Sequence, residues 1–297
     1  MYDVAVIIIN YNTSDYTLDC IKAVKEQTSD AVSYQVIVVD NNSEPPQYEK
    51  LRDHFPSDPH ISLHPSPVNT GFGGGNMIGA QYADASYVLF LNNDAMLLND
   101  CLQLLKTHMD AHPKVGVCTA QNYDEQGQLV PSFDHNKGLR RLLFGRGFLE
   151  NINPKRYPKR KLEYATPLNV DWVNGAFLFF RKSAFEEIGG FDTKIFLYYE
   201  EMDLCHRLKK QGYQTQLVPA ARILHYQGVS IGTSKVINKE AYLSYLYVLG
   251  KNHGMGKQFL IRLYLTLVFL LKPKKWYLLG TVLWGSVHKD SLRLKQN

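Results

Sequence analysis

No two of the four cysteines, Cys20, Cys101, Cys118 and Cys205, form a C-x-x-C pair, which argues against a zinc site and a disulfide framework and fits a reducing cytosol. No apolar run reaches the ~20 residues of a bilayer-spanning helix. The opening MYDVAVIIINYN has no basic leader and too short an apolar core for a signal peptide, so it reads as the first strand of a fold. There is no internal repeat and no low-complexity tract. Excess charge is small, formally +5, but basic residues crowd Arg140 to Lys161 and the segment after Gly250. Anionic partners are expected there, and nucleic acid is not.

The 297 residues are 45% hydrophobic, enough for one enzyme-sized domain with an appendage. Val4 to Ile9, Gln35 to Val39 and Tyr87 to Leu91 are β-branched or aromatic runs that read as buried strands, with helices at Leu18 to Glu26 and Asn76 to Ala83 between them. That pattern implies α/β architecture, a largely parallel sheet covered on both sides. A strand near Val115 to Ala120 leads into 123–167, a polar, basic, proline-punctuated stretch with the composition of a mobile loop. Regular structure resumes with strands at Ala176 to Arg181 and Gln214 to Val218 and helices at Ser183 to Ile188 and Glu201 to Gln211. Beyond Lys239, Tyr242 to Leu249, Phe259 to Leu271 and Trp276 to Trp284 are apolar and helical, the last two flanking the basic hinge Lys272 to Lys275. The expected division is a domain over 1–236, with a nucleotide-binding half at 1–120 and an acceptor half at 168–236, followed by a helical extension over 237–297.

Ligands of open α/β sheets bind at the carboxyl ends of the strands. Three polar sets stand there: Asn10-Tyr11-Asn12, Asp40-Asn41-Asn42-Ser43 and Asn92-Asn93-Asp94. Each alone is ordinary turn chemistry; three converging sets suggest a site. Asn69 to Asn76 holds Gly71 and Gly73 to Gly75 before a helix, which suits either close approach to a diphosphate or a flexible loop. It is not a dinucleotide fingerprint, since Asn76 stands where the last glycine belongs. Glu200, Glu201 and Asp203 open a helix, where they serve as caps or as catalytic acids. His225 alone is open between a structural and a ligand role.

Together these pieces resemble the family-two glycosyltransferases of the GT-A fold, and more narrowly their rhamnosyltransferase-like members, over roughly Val4 to Ser230. The resemblance implies a nucleoside pocket at Asn10, Tyr11 and Asp40, with Asp40 on the base, and a nucleotide-side helix start at Asn69, Gly71 and Asn76. It places Asn93 and Asp94 beside the nucleotide. Asp94 is the remaining acid of a D-x-D metal motif, and His225, in a His-x-x-Gly-x-Ser stretch, is the second ligand of a divalent cation, Mn²⁺ or Mg²⁺. Glu201 becomes the general base of an inverting displacement, with Glu200 and Asp203 assisting, and Trp172, Asn174 and Gly175 the sugar and acceptor floor. The implied reaction carries a sugar from dTDP-rhamnose or a UDP-hexose to a glycan or lipid-linked acceptor in bacterial surface polysaccharide synthesis. The extension's Lys/Arg excess beside apolar runs points to an anionic membrane surface, on the inner face of the cytoplasmic membrane. Competing readings are a nucleotide-dependent oxidoreductase and, because Asn92 replaces an acid, a carbohydrate-binding or scaffold protein that has lost turnover.

Overall fold

A computed structural model describes residues 1–226 and 234–295. In chain order it contains β1 (Tyr2–Asn10), α1 (Ser14–Gln27), β2 (Tyr34–Asp40), α2 (Pro45–Asp53), β3 (Ile61–Pro65), α3 (Gly71–Ala80), β4 (Ala85–Asn92), β5 (Ala95–Leu97), α4 (Cys101–Ala111) and β6 (Val115–Tyr123). The chain continues through β7 (Leu129–Val130), β8 (Phe133–Asp134), α5 (Leu139–Phe144), α6 (Arg146–Ile152), β9 (Leu168–Asn169), β10 (Trp172–Val173), β11 (Phe177–Arg181) and α7 (Lys182–Glu187). Then come α8 (Glu200–Lys210), β12 (Gln214–His225), α9 (Lys235–His253), α10 (Met255–Leu270), a 3₁₀ turn (Pro273–Leu278) and α11 (Leu279–Trp284).

The main sheet runs in the order β3-β2-β1-β4-β11-β6-β12-β5. β3, β2, β1 and β4 are mutually parallel, β11 is antiparallel to β4 and β6, and β12 is parallel to β6 but antiparallel to β5. The β-branched run of β1 is buried because helices cover both faces. Val4, Val6 and Ile8 enter one core cluster while Ala5 and Ile7 enter the other, as the two-residue pleat dictates. This is the expected GT-A arrangement, a mixed and mostly parallel sheet.

Two elements run further than their composition suggests. β12 continues through Pro219 to His225, with a register shift between Leu217 and Arg222, and its end pairs His225 with Ala95 of the short strand β5. α3 begins at Gly71 itself, so the glycines belong to a helix rather than to a loop before one. Gly75 and Gly79 lie against Ile9 and Ile7, letting α3 press on the sheet.

The stretch 123–167 carries more regular structure than its composition suggests: β7 and β8, and the helices α5 and α6. Asp134 ties it together by ion pairs to Arg141 at 2.7 Å and Arg160 at 3.1 Å, and Arg156 reaches Asp171 at 2.9 Å.

The C-terminal helices pack on α8 and the turn before it. Tyr245, Leu246 and Leu249 of α9 join Ile195 and Met202 in a third apolar cluster with Ile261, Leu265 and Phe269 of α10. Their outer face stays open: Phe259, Leu263, Leu267, Leu271, Trp276 and Trp284 are exposed. Among the described residues, no helix is long and apolar enough to cross a membrane. All four cysteines are free and buried.

Candidate functional site

Two connected clefts open along the carboxyl ends of β1, β2 and β4, sharing Phe72, Asn92 and Leu197 in their walls. The first, about 280 Å³, is lined by Tyr11, Asn41, Asn69, Gly71 and Asn93 among others. The second, about 490 Å³, takes in Asp94, Lys137, Trp172, Glu200, Glu201 and His225. Asn174 and Gly175 also face it. The first turns of α9 close both, Ile237 over the first and Asn238 and Ala241 over the second. Part of the extension therefore walls the site.

Around the first cleft the polar side chains bind one another. Asn10 donates to Asp40 at 2.7 Å and to the Ser43 hydroxyl at 3.0 Å, and its own oxygen accepts from Thr17 at 2.8 Å. The second Asp40 oxygen accepts the Ser43 N–H at 3.1 Å. Asn41 donates to the Asn69 side chain and the Gly71 carbonyl, both at 3.1 Å, and accepts from Thr70. Asn93 donates to Thr13 and Thr17. Asn76 bonds back to the Phe72 carbonyl within α3. Buried groups need such partners, and these residues supply them to each other.

Of the residues expected on the nucleotide side, Tyr11, Asn69, Gly71 and Asn93 reach the cleft; Asn10, Asp40 and Asn76 lie behind its wall. The glycine segment also serves otherwise than as an open diphosphate cradle. Gly71 has φ of 75°, and a Cβ there would overlap the Phe196 carbonyl oxygen, while the Phe72 N–H donates to that same oxygen at 3.0 Å. The close approach that demands glycine is to the protein's own backbone.

The second cleft is chemically different. β12 and β5 bring His225 Nε2 within 3.3 Å of Asp94 Oδ1, and the Tyr226 N–H donates to the Asp94 carbonyl at 3.0 Å. Asp94 and His225 are 3% and 8% exposed, and Asp94 Oδ1 and His225 Nδ1 are buried without a hydrogen-bond partner. The Gly228 and Ser230 of the His225 stretch lie outside the described residues. Among the described residues, no group of three or more His, Cys, Asp or Glu stands ready as a metal cage. A carboxylate and an imidazole nitrogen are what the chain offers, a donor set that suits a hard divalent cation completing its shell with phosphate oxygens and water.

The same cleft is lined by the start of α8, Glu200 and Glu201. Tyr198 and Tyr199 both have φ of 71°, a left-handed pair that turns the chain sharply into the helix. Such strain persists where the surroundings impose it, here with Ser244 of α9 donating to the Leu197 carbonyl at 2.8 Å and the Tyr199 ring tilted against that of Tyr245 at 5.2 Å. Burial pushes the Glu200 carboxyl well above the usual range and the neighbouring Glu201 charge adds to it. Glu200 Oε1 has no hydrogen-bond partner. Burial raises Glu201 as well, but its own N–H, the Lys137 ammonium and the Gly175 N–H oppose the rise. Of the pair, Glu200 is raised further, because only its own N–H opposes the rise there. A Cβ at Gly175 would overlap Glu201 Oε1, so glycine there lets the carboxylate keep this position.

Asp203 does not join them. It is fully buried, 2.7 Å from the Arg207 guanidinium and 3.0 Å from Lys251 of α9, an ion-pair cluster that docks α9 on α8. Asp203, expected to assist Glu201, does not line the cleft.

Lys137 is the main residue that sequence reasoning missed. Burial lowers its ammonium below the ordinary value; it donates to the Tyr199 hydroxyl at 3.2 Å and lies over the Tyr199 and Trp172 rings. Trp172 is fixed by donation to the His135 carbonyl at 3.1 Å. No motif flags Lys137. Its only signal is membership of a basic stretch.

Residues 5–189 match the family described as Glycosyl transferase family 2. The chain is 28% identical over 230 residues to the rhamnosyltransferase WbbL of Escherichia coli (strain K12), covering 75% of this chain and 83% of that one. It is 27% identical over 213 residues to the N-acetylglucosaminyl-diphospho-decaprenol L-rhamnosyltransferase of Mycobacterium tuberculosis (strain ATCC 25618 / H37Rv), covering 66% and 69%. Among solved structures, GalNAc-T7 with UDP, GalNAc and Mn²⁺ superposes with a TM-score of 0.61 at 15% identity, over 84% of this chain and 48% of that one. At that identity the likeness shows a common fold, and this chain spans about half of the larger one. The family match covers more than half of the chain and replaces the oxidoreductase and non-enzymatic readings: this protein belongs to glycosyl transferase family 2 and is a glycosyltransferase.

Proposed function

We propose that the protein is an inverting hexosyltransferase that takes its sugar from dTDP-rhamnose or a UDP-hexose and delivers it to a glycan or lipid-linked acceptor of bacterial surface polysaccharide. The observation that carries this reading is one cleft lined by both the Asp94 and His225 pair and the Glu201 carboxylate. The first cleft, beneath Tyr11, Asn41, Asn69 and Asn93, takes the nucleoside. Trp172, Asn174 and Gly175 form the floor on which sugar and acceptor meet. The names of the relatives favour rhamnose.

In a single displacement, Glu201 accepts the acceptor's hydroxyl proton as the oxygen forms its bond to the anomeric carbon. The bond from that carbon to the diphosphate breaks on the opposite face, and the nucleoside diphosphate leaves with the electron pair. Glu200, protonated, keeps a second negative charge away from Glu201. Lys137 and the Gly175 N–H hold Glu201 ionised. Asp94 and His225 are the residues that would hold a divalent cation, Mn²⁺ or Mg²⁺, which when bound neutralises charge on the diphosphate. The exposed apolar face of α10 and α11, with Lys257, Lys272, Lys274 and Lys275 nearby in sequence, supports seating on an anionic membrane at the inner face of the cytoplasmic membrane.

The test is transfer from each nucleotide sugar, with and without Mn²⁺, and the anomeric configuration of the product by NMR. Inversion and loss of turnover in excess chelator are expected; retention would overturn the single displacement, and full activity in chelator would remove the cation. Asp94→Asn and His225→Ala should each weaken Mn²⁺-dependent binding of the nucleoside diphosphate by about 10- to 100-fold.

A further inference from the structure

A separate cavity of about 350 Å³ lies between α5, α6 and the corner of α9 and α10. Its floor is apolar, with Leu149, Leu249 and Ile261 at most 7% exposed. Its rim is cationic: Arg140, Arg141, Arg156 and Lys257 face one carboxylate, Asp171. Arg141 and Arg156 are already paired, with Asp134 and Asp171. Among the described residues, Arg140 and Lys257 have no carboxylate within ion-pair distance; Arg140 donates to the Tyr157 hydroxyl at 3.3 Å. A solvated basic face would explain two loose cations. It does not explain why they border an apolar floor, nor why the same helices continue outward as an apolar track. Leu143, Phe144, Phe148 and Leu260 are 49% to 60% exposed, and the Phe144 and Phe148 rings stack at 5.7 Å.

The position matters as much as the chemistry. Asn136 and Gly138 line this cavity while Lys137, between them, lines the catalytic cleft; Asp171 lines this cavity while Trp172, next to it, lines the cleft. The two spaces share a wall one chain thick.

We propose that this cavity binds the phosphate end of an anionic amphiphile, with its hydrocarbon lying along Leu143, Phe144, Phe148 and Leu260. The cavity thereby anchors a lipid-linked acceptor by its phosphate beside the catalytic cleft, a role that rests on the sugar-transfer reading above. The ammonium and guanidinium groups supply charge-assisted hydrogen bonds to phosphate, and the track shields the chain from water.

The test is calorimetric titration of the full chain with farnesyl diphosphate, a soluble amphiphile of this class, and with pyrophosphate. Farnesyl diphosphate should bind at least about tenfold more tightly, from the apolar surface its tail covers. The double variant Arg140→Gln/Lys257→Gln should lose about tenfold in that affinity with UDP affinity unchanged, and saturating UDP should not displace the probe. Equal binding of pyrophosphate, displacement by UDP, or an unaffected double variant would each overturn the proposal. Phosphatidylglycerol vesicles separate the sources: binding lost in the double variant assigns the cavity to bilayer headgroups and overturns the acceptor role, whereas binding kept in it, beside the loss of farnesyl diphosphate affinity, supports the acceptor role. A double variant that still transfers sugar to a soluble acceptor keeps the two readings distinct. Absence of any transfer by the wild type, with probe binding intact, would remove the acceptor role and leave the amphiphile site standing.

Discussion

The two clefts are lined by similar residue types and treat them in opposite ways. On the nucleotide side, Asn10, Asp40, Asn41 and Asn69 are buried and bonded to one another. On the acceptor side, Asp94, Glu200 and His225 are just as buried, yet Glu200 Oε1 and His225 Nδ1 have no hydrogen-bond partner and Asp94 Oδ1 has only the His225 ring at 3.3 Å. Unmade hydrogen bonds of this kind cost about 1–3 kcal/mol each, and the chain also bears two left-handed tyrosines there. The first region uses polarity to build a wall. The second leaves polar atoms without partners where they line a cleft, whereas the similar atoms of Asn122 and Asp203 lie in the scaffold away from it.

Glu201→Gln breaks that contrast most severely, because it keeps size and hydrogen bonding while removing basicity. Turnover should fall by ~10² to 10⁴, with donor affinity nearly unchanged, as measured by steady-state rates and nucleotide titration. Gly175→Ala should mimic it from outside the carboxylate pair. The new methyl pushes Glu201 from its place, and a misplacement of that order costs about 10²-fold in rate; an unchanged rate would remove Gly175 as the positioning residue.

Glu200→Gln sharpens the contrast with a smaller effect. A folded-state pKa raised by burial and by Glu201 means that the carboxyl's contribution to stability is fully present below its unfolded value, about 4.3. It is lost as pH rises through the raised folded value. The variant cannot lose a proton, so its melting temperature should match the wild type in acid and exceed it increasingly toward neutral pH. A constant difference across pH would mean that Glu200 is not the strained member of the pair.

Much of this architecture was legible. The β-branched runs of β1, β2 and β4 declare buried strands, and the polar residues after them mark the open end of the sheet. What escaped did so for physical reasons. Pro219 and Arg222 break the apolar pattern of β12, hiding the continuation that carries His225 to Asp94. The poor helix propensity of glycine disguises α3, whose stability comes from packing on the sheet. α5 and α6, of 6 and 7 residues, are too short to form without tertiary support, so 139–152 reads as a loop and Lys137 beside it goes unnoticed. Asp203 shares a motif with Glu201 but, two positions along the helix, faces Arg207 and Lys251 instead of the cleft.

The contrast between wall and chemistry is tested most directly by measuring melting temperature and turnover together on Asn10→Ala and Glu201→Gln. Asn10→Ala leaves Asp40 and Thr17 without their partner and should cost about 1–3 kcal/mol of stability, with near-normal turnover in the folded fraction. Glu201→Gln should melt no lower than the wild type and be nearly inactive. A stable, inactive Asn10→Ala beside an unstable, active Glu201→Gln would contradict the account.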